Sequence, residues 1–359
     1  MFNIEERIKQ IEDEIRKTPY HKGTEHYIGR LKAKIAKLKD QGLTPKKTGK
    51  NIGFALKKEG DATAVLFGFP SVGKSTLINQ LTDTSSKVGD YEFTTLTVIP
   101  GILKLKGAKI QILDLPGIIS GAAKGKGMGK QILSAARTAD LILILTDANK
   151  TEQENIIKTE LYKAGIRINE AKPNITIKKK LRGGLQINFS SQFSLSKETV
   201  KGIAQEFNLI NAEIIIKEDL SLERLIDSFS PNRVYLPAIF IINKTDLVKN
   251  LKDLKKEYPD HFFISAKENI GLSQLKNAIW KKLNLIRVYL KQKNREADFK
   301  NPLILKKGTT VFDAAEEVSS ELASEIKEAK IFGKKVLYQG QQVGLSYLLS
   351  DKLILTFLN

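Results

Sequence analysis

The 359-residue sequence has no cysteine, two methionines and one tryptophan. Without thiols, disulfides, thiolate zinc sites and cysteine nucleophiles are excluded, and nothing in the composition points to an oxidising compartment. Long apolar runs are missing too. The longest aliphatic stretch, residues 141–145, is bounded by Asp140 and Thr146, far short of the roughly 18 apolar residues of a membrane span. The start, Met1-Phe2-Asn3-Ile4-Glu5-Glu6, lacks the basic residues and apolar stretch of a secretory signal. The expectation is a cytoplasmic protein with no membrane partner. Proline is scarce, at 10 residues, while 41% of the chain is hydrophobic and 28% charged, which excludes a collagen-like or wholly disordered polymer. The length implies roughly two or three globular domains.

Acidic residues are outnumbered. Lys and Arg total 59 against 40 Asp and Glu, a net charge of +19, enough to attract a polyanion beyond contact distance. Nucleic acid is the first candidate partner, although solvated lysine-rich faces would give the same surplus. Residues 1–60 carry 15 basic and 8 acidic side chains, and 286–359 carry 12 and 9, so the amino-terminal region is the more basic end.

Apolar residues recur every three or four positions at Ile4, Ile8, Ile11 and Ile15, and at Tyr27, Leu31, Ile35 and Leu38, which predicts helices over 4–17 and 24–39 and a helical hairpin. A polar stretch over 46–61 reads as a linker. From residue 62 short β-prone runs alternate with helical segments: strands at 64–67, 102–105, 110–113, 141–145, 237–242 and 261–265, and helices at 74–81, 152–163 and 272–283. That rhythm predicts an α/β fold with a mostly parallel sheet covered by helices on both faces. Residues 165–235 break it. Strands at 175–179 and 185–189, joined across Arg182-Gly183-Gly184, read as a hairpin, followed by helix 197–206, strand 213–216 and helix 222–228. This is an inserted αβ subdomain. After Leu285 strands surround a single helix over 311–322, with turns at Gly333, Gly340 and Gly344.

Five segments carry chemistry. Gly68-Phe69-Pro70-Ser71-Val72-Gly73-Lys74-Ser75 fits the phosphate-binding loop and lies between a strand and a helix, the context the motif requires. Loop amides, Thr76 among them, and the helix N-terminus would surround a polyphosphate, with Lys74 reaching the outer phosphates and Ser75 ligating Mg²⁺. Asp114-Leu115-Pro116-Gly117 follows a strand, so Asp114 would hold Mg²⁺ through water and Gly117 would offer its amide to the γ-phosphate. Asn243-Lys244-Thr245-Asp246 follows a later strand. The Asp246 carboxylate can accept from both N1–H and the exocyclic amine of guanine, a donor pair adenine lacks, which argues for GTP over ATP. Ser265-Ala266-Lys267 would supply a backbone contact to guanine O6. Between the loop and Asp114, Thr95, with Thr94 next, is the hydroxyl chosen to complete Mg²⁺ coordination. His21, His26 and His261 show no metal spacing, and Phe189, Phe193 and Phe207 read as core.

Residues 68–77, 91–97, 114–119 with Gly121, Gly125, Gly127 and Gly129, Ala135-Arg137-Thr138-Ala139-Asp140, and the stretch from His21 to Lys34 together resemble the DRG subfamily of the Obg-like, translation-factor-related GTPases. The resemblance implies a helical amino-terminal region and linker over 1–60, a P-loop GTPase G domain over 61–164 and 236–284, an inserted αβ subdomain over 165–235, and a β-grasp TGS domain over 285–359. It further implies a GTPase switching between GTP and GDP states with ribosomes or RNA. Ile118 stands after Gly117, where many signalling GTPases place a glutamine that orients the attacking water. Intrinsic hydrolysis is therefore expected to be slow, with Lys74, Thr95, the Gly117 amide and Mg²⁺ assisted by an added agent: potassium, the ribosome or an accessory protein. Ser71 occupies the position where potassium-dependent relatives commonly carry Asn. Lys178, Lys179, Lys180 and Arg182 are candidate RNA-phosphate contacts. An RNA- or ribosome-binding adaptor with a structural nucleotide site is the alternative, and an ATPase is opposed by Asp246.

Overall fold

A computed structural model describes residues 4–43, 60–82, 99–114, 136–190, 193–292, 295–334 and 336–358. In chain order the elements are α1 (Ile4–Lys17), α2 (Glu25–Leu43), β1 (Ala62–Phe67), α3 (Lys74–Leu81), β2 (Ile99–Leu105), β3 (Ala108–Asp114), β4 (Leu141–Asp147) and α4 (Gln153–Lys163). Next come β5 (Ile166–Ile168), β6 (Ile175–Lys179), β7 (Leu185–Phe189), α5 (Lys197–Glu206), β8 (Ala212–Ile216), α6 (Leu222–Phe229), β9 (Val234–Leu236) and β10 (Ala238–Asn243). The chain continues with α7 (Leu251–Glu257), β11 (Phe262–Phe263), α8 (Leu272–Leu283), β12 (Leu285–Leu290), β13 (Leu303–Lys306), α9 (Val311–Val318), α10 (Ser320–Glu325), β14 (Glu328–Phe332), β15 (Gln341–Gly344) and β16 (Leu353–Leu358). Of the linker read at 46–61, only residues 60 and 61 are described. No described helix is long and apolar enough to cross a membrane.

These elements form two compact units. One joins the amino-terminal helices to residues 161–235. Its three-stranded sheet runs β6-β8-β7, which corrects the hairpin expected over 175–189: the two strands form at the predicted positions but do not pair. β8 lies between them, antiparallel to β6 and parallel to β7. The reason is burial. Ala212, Ile214 and Ile216 are all at most 1% exposed, so the most apolar strand takes the centre, and the polar residues of β6 and β7 suit the edges. Asn211 secures the crossing, since its Oδ1 accepts from the Gly184 amide and its Nδ2 donates to Leu181 O.

Helix α2 packs on α5 and α6, and the stretch from His21 to Lys34 makes that contact. Gly202 of α5 lies against His26, which a Cβ would meet at 2.4 Å. Thr199 donates to the buried carboxylate of Glu25, and Arg30 and Lys32 pair with Glu206 and Glu223. Phe189, Phe193 and Phe207 pack against the core formed here. Beneath it a buried charge network joins four segments. Asp227 accepts from Arg167 at 2.5 and 2.9 Å and from Arg233 at 2.6 Å, and Arg233 also donates to Asp40 at 2.9 Å.

The second unit contains a six-stranded sheet of order β11-β10-β4-β1-β3-β2, parallel except for β2. Every residue of β1 and β4 is buried, as a parallel strand covered on both faces requires. Helices α3 and α8 supply Leu77, Ile78, Leu275 and Ile279 to the core of one face. The same unit holds a five-stranded sheet, β13-β12-β16-β14-β15. The single helix expected over 311–322 is two, α9 and α10, broken at Ser319. Its backbone is extended (φ −164°, ψ 146°), and its hydroxyl accepts from the Leu322 amide to cap the second helix. Lys106 and Arg287 flank the Trp280 ring, and Lys306 pairs with Asp140.

Removing Asp227 would leave the buried Arg167 guanidinium with no carboxylate partner and Arg233 with Asp40 alone, so Asp227→Ala should cost the first unit about 3–5 kcal/mol in urea unfolding. A loss below about 1 kcal/mol would show that the network carries little stability.

Candidate functional site

All the predicted site residues that are described lie where strands of the parallel sheet end, the edge at which open α/β sheets bind ligands. The polypeptide leaves β1 at Phe67 and reaches α3 through residues 68–73. Ser71 (φ 64°) and Gly73 (φ 97°) both adopt left-handed backbone. At Gly73 no side chain would fit, because a Cβ would come within 2.4 Å of Asn243 Nδ2. The loop curls around Lys74, whose ammonium donates to Gly68 O at 3.1 Å and Phe69 O at 3.2 Å. Ser75 and Thr76, exposed in the first turn of α3, sit among amides that have no intrahelical acceptor, where the helix dipole favours an anion.

Asn243, 3% exposed at the end of β10, ties three of the motifs together. Its Nδ2 donates to Val72 O at 2.9 Å, and its Oδ1 accepts from the Ala266 amide at 2.9 Å. Phosphate loop and Ser265-Ala266-Lys267 turn are thus braced by one buried side chain. Lys244 follows with left-handed backbone (φ 62°) and opens the 3₁₀ turn Thr245–Leu247, which presents Asp246 to solvent. Ser265 is fully buried; it exchanges backbone bonds with Ile270, and its hydroxyl accepts from the Glu268 amide. Lys267 is exposed.

Asp114 ends β3, beside Leu66 of β1. The carboxylate is buried, and its Oδ1 has no hydrogen-bond partner among the described residues. Burial pushes its pKa above the ordinary value, against the opposing pull of Lys74. A buried carboxylate with an unsatisfied oxygen beside a phosphate loop fits a site completed by a hydrated divalent cation. Thr95, Thr94, Gly117 and Ile118 lie outside the described residues. Among the described residues no cluster of His, Asp or Glu forms a separate metal site. His261 instead packs on Phe240 and Tyr258 and pairs with Glu154.

Asp147 escaped the sequence reading. The apolar run ends at Leu145, but β4 continues through Thr146 to Asp147, opposite Asn243. The usable signal was an acidic residue at the end of a buried strand.

Comparison with known proteins accounts for this arrangement. Residues 63–180 match the family described as 50S ribosome-binding GTPase, 182–285 the C-terminal region of the MMR_HSR1 domain, and 286–358 the TGS domain. Human Developmentally-regulated GTP-binding protein 2 is 42% identical over 353 residues, covering 96% of each chain. The chain belongs to the DRG-type Obg-like GTPases. A GTP-binding protein of Methanocaldococcus jannaschii, MJ1326, is 44% identical over 99% of this chain and 93% of its own. Ribosome-interacting GTPase 1 of Saccharomyces cerevisiae is 40% identical over the whole of both. This DRG-type protein is accordingly a GTP-binding member of a GTPase family, with a TGS domain at its carboxyl end.

Because the Asp114 pKa is raised, its ionised form opposes folding. That cost is absent below the ordinary carboxylate range and is complete once the pH exceeds the raised value. Asp114→Asn should therefore melt a few degrees higher than wild type at neutral pH without nucleotide, with the gap closing on acidification. It should also lose the stabilisation that Mg²⁺ adds to bound nucleotide. Equal melting temperatures at neutral pH and an intact Mg²⁺ effect would contradict this assignment.

Proposed function

We propose that the protein hydrolyses GTP to GDP and phosphate, with Mg²⁺ and slowly, and works as a switch with ribosomes or RNA in translation. The observation that carries this reading is the convergence of the 68–75 loop, Asp114 and the Asn243–Asp246 segment at one sheet edge, braced by Asn243. Loop amides and Lys74 bind the phosphates, and Asp246 accepts from the guanine edge. Ser75, Asp114 and Thr95 are the residues that would hold Mg²⁺, which when bound offsets charge on the β- and γ-phosphates. The Gly117 amide meets the γ-phosphate. Backbone groups orient the attacking water, since the Ile118 side chain offers no hydrogen bond, and the rate stays low until an added agent supplies positive charge. Potassium, the ribosome and an accessory protein are the candidates.

The ribosomal role is supported by likeness to a yeast protein named Ribosome-interacting GTPase 1 and by the net charge of +19. Lys178, Lys179, Lys180 and Arg182 are exposed on the insert, as phosphate contacts require. Ile118 also keeps the adaptor reading in view, in which nucleotide is bound but hardly turned over.

One experiment separates these readings: single-turnover hydrolysis of GTP and ATP by wild type and Lys74→Ala, in potassium and in sodium, with RNA or ribosome binding measured across salt concentrations. A GTPase switch predicts GTP turnover without ATP turnover. Lys74→Ala should slow it on the order of 10²-fold, while RNA binding persists and weakens with salt. Equal rates in potassium and sodium remove potassium as the added agent. Turnover unaffected by Lys74→Ala, or RNA binding insensitive to salt, would contradict the proposal.

A further inference from the structure

Strands β4 and β10 run parallel and finish together, with Asp147 in register with Asn243. The Ala148 amide donates to Asn243 O at 2.9 Å, so the two strand ends are fastened beyond the sheet. Just past this point Lys244 holds left-handed backbone, a conformation uncommon for a non-glycine residue. Asp147 is tied to the Lys244 side chain. Its Oδ2 lies 2.7 Å from Lys244 Nζ, with the side chains 12% and 32% exposed respectively. Its Oδ1 accepts from the Asn149 amide at 2.9 Å. One carboxylate therefore closes its own turn and tethers the lysine of the neighbouring strand. Although burial raises the Asp147 pKa, the bonds from Lys244 and the Asn149 amide bring it below the ordinary value, so this carboxylate stays charged throughout the neutral range.

We infer that Asp147 is a positioning residue for guanine nucleotide: by holding the Lys244 side chain along the strand ends, it fixes the 244–246 segment in the conformation from which Asp246 meets the base. This rests on the guanine-nucleotide reading above. The geometry separates the two duties of the carboxylate. In Asp147→Asn the amide oxygen still accepts from Asn149, but the charge that holds Lys244 is gone. Lys244→Met removes the tether from the other side and keeps an apolar stem of similar length. If the pair acts as one device, each variant and the double variant should behave alike.

The test is the dissociation rate of a fluorescent GDP analogue from the full chain, compared among wild type, Asp147→Asn, Lys244→Met and the double variant, with thermal melting recorded for each. Either single variant should speed release about tenfold, as expected when a tethered charge pair is broken, and the double variant should match the singles within about twofold. A wild-type rate in Asp147→Asn overturns the inference, because the turn bond alone then suffices. Independent, multiplying effects of the two substitutions overturn it as well. If Asp147→Asn does not fold, Lys244→Met decides alone: a wild-type rate there refutes the tether. Should the wild-type protein fail to bind the GDP analogue at all, the guanine reading itself is wrong and the inference falls with it.

Discussion

Two hydrogen bonds from one buried amide hold the candidate site together. Asn243 reaches the phosphate loop through Val72 O and the 265–267 turn through the Ala266 amide. Both partners are backbone groups, so the brace constrains main chain and leaves the loop side chains to the ligand. Buried polar atoms with fixed partners are costly to leave unmade, which makes such a brace rigid as well as specific. The neighbouring features depend on it. Gly73 must lack a side chain because the Asn243 amide occupies that space, and the parallel register of β4 with β10 is what delivers Asn243 there.

The other unit is built on a different principle. Its contact between α2 and α5 relies on the absence of a side chain at Gly202, opposite His26, and a separate buried Arg–Asp network joins α2, β5, α6 and the segment before β9. Close helix approach and paired buried charges favour one arrangement over near alternatives. The stretch from His21 to Lys34 thus acquires an architectural explanation that does not involve the nucleotide.

Much of this was legible in the sequence. Most strands and helices from Ala62 to Leu283 follow from apolar period, though the short β5, β9 and α7 were not read, and the phosphate loop is readable because Gly73-Lys74-Ser75 must follow a strand and open a helix. Pairing was not legible. Residues 175–179 and 185–189 are separated by a Gly-Gly turn that looks like a hairpin, and only the greater burial of Ala212, Ile214 and Ile216 puts β8 between them. The break at Ser319 was hidden because apolar spacing continues across it while the serine hydroxyl starts a new helix. Asn243 was legible only as part of the 243–246 motif; that it grips Val72 and Ala266 depends on side-chain geometry that spacing does not encode. Asp147 was missed because hydropathy ends a strand where its polar residues begin.

The central claim is that phosphate loop and base-reading segment form one braced site. It is tested most directly by calorimetry of GDP, ADP and pyrophosphate binding to the wild-type protein and to Asn243→Ala. The account predicts a clear preference of the wild type for GDP over ADP. In Asn243→Ala, both that preference and the affinity for pyrophosphate should fall, by about tenfold or more, because one side chain supports both halves. Unchanged pyrophosphate affinity in the variant, or a wild-type protein indifferent to the purine, would contradict it.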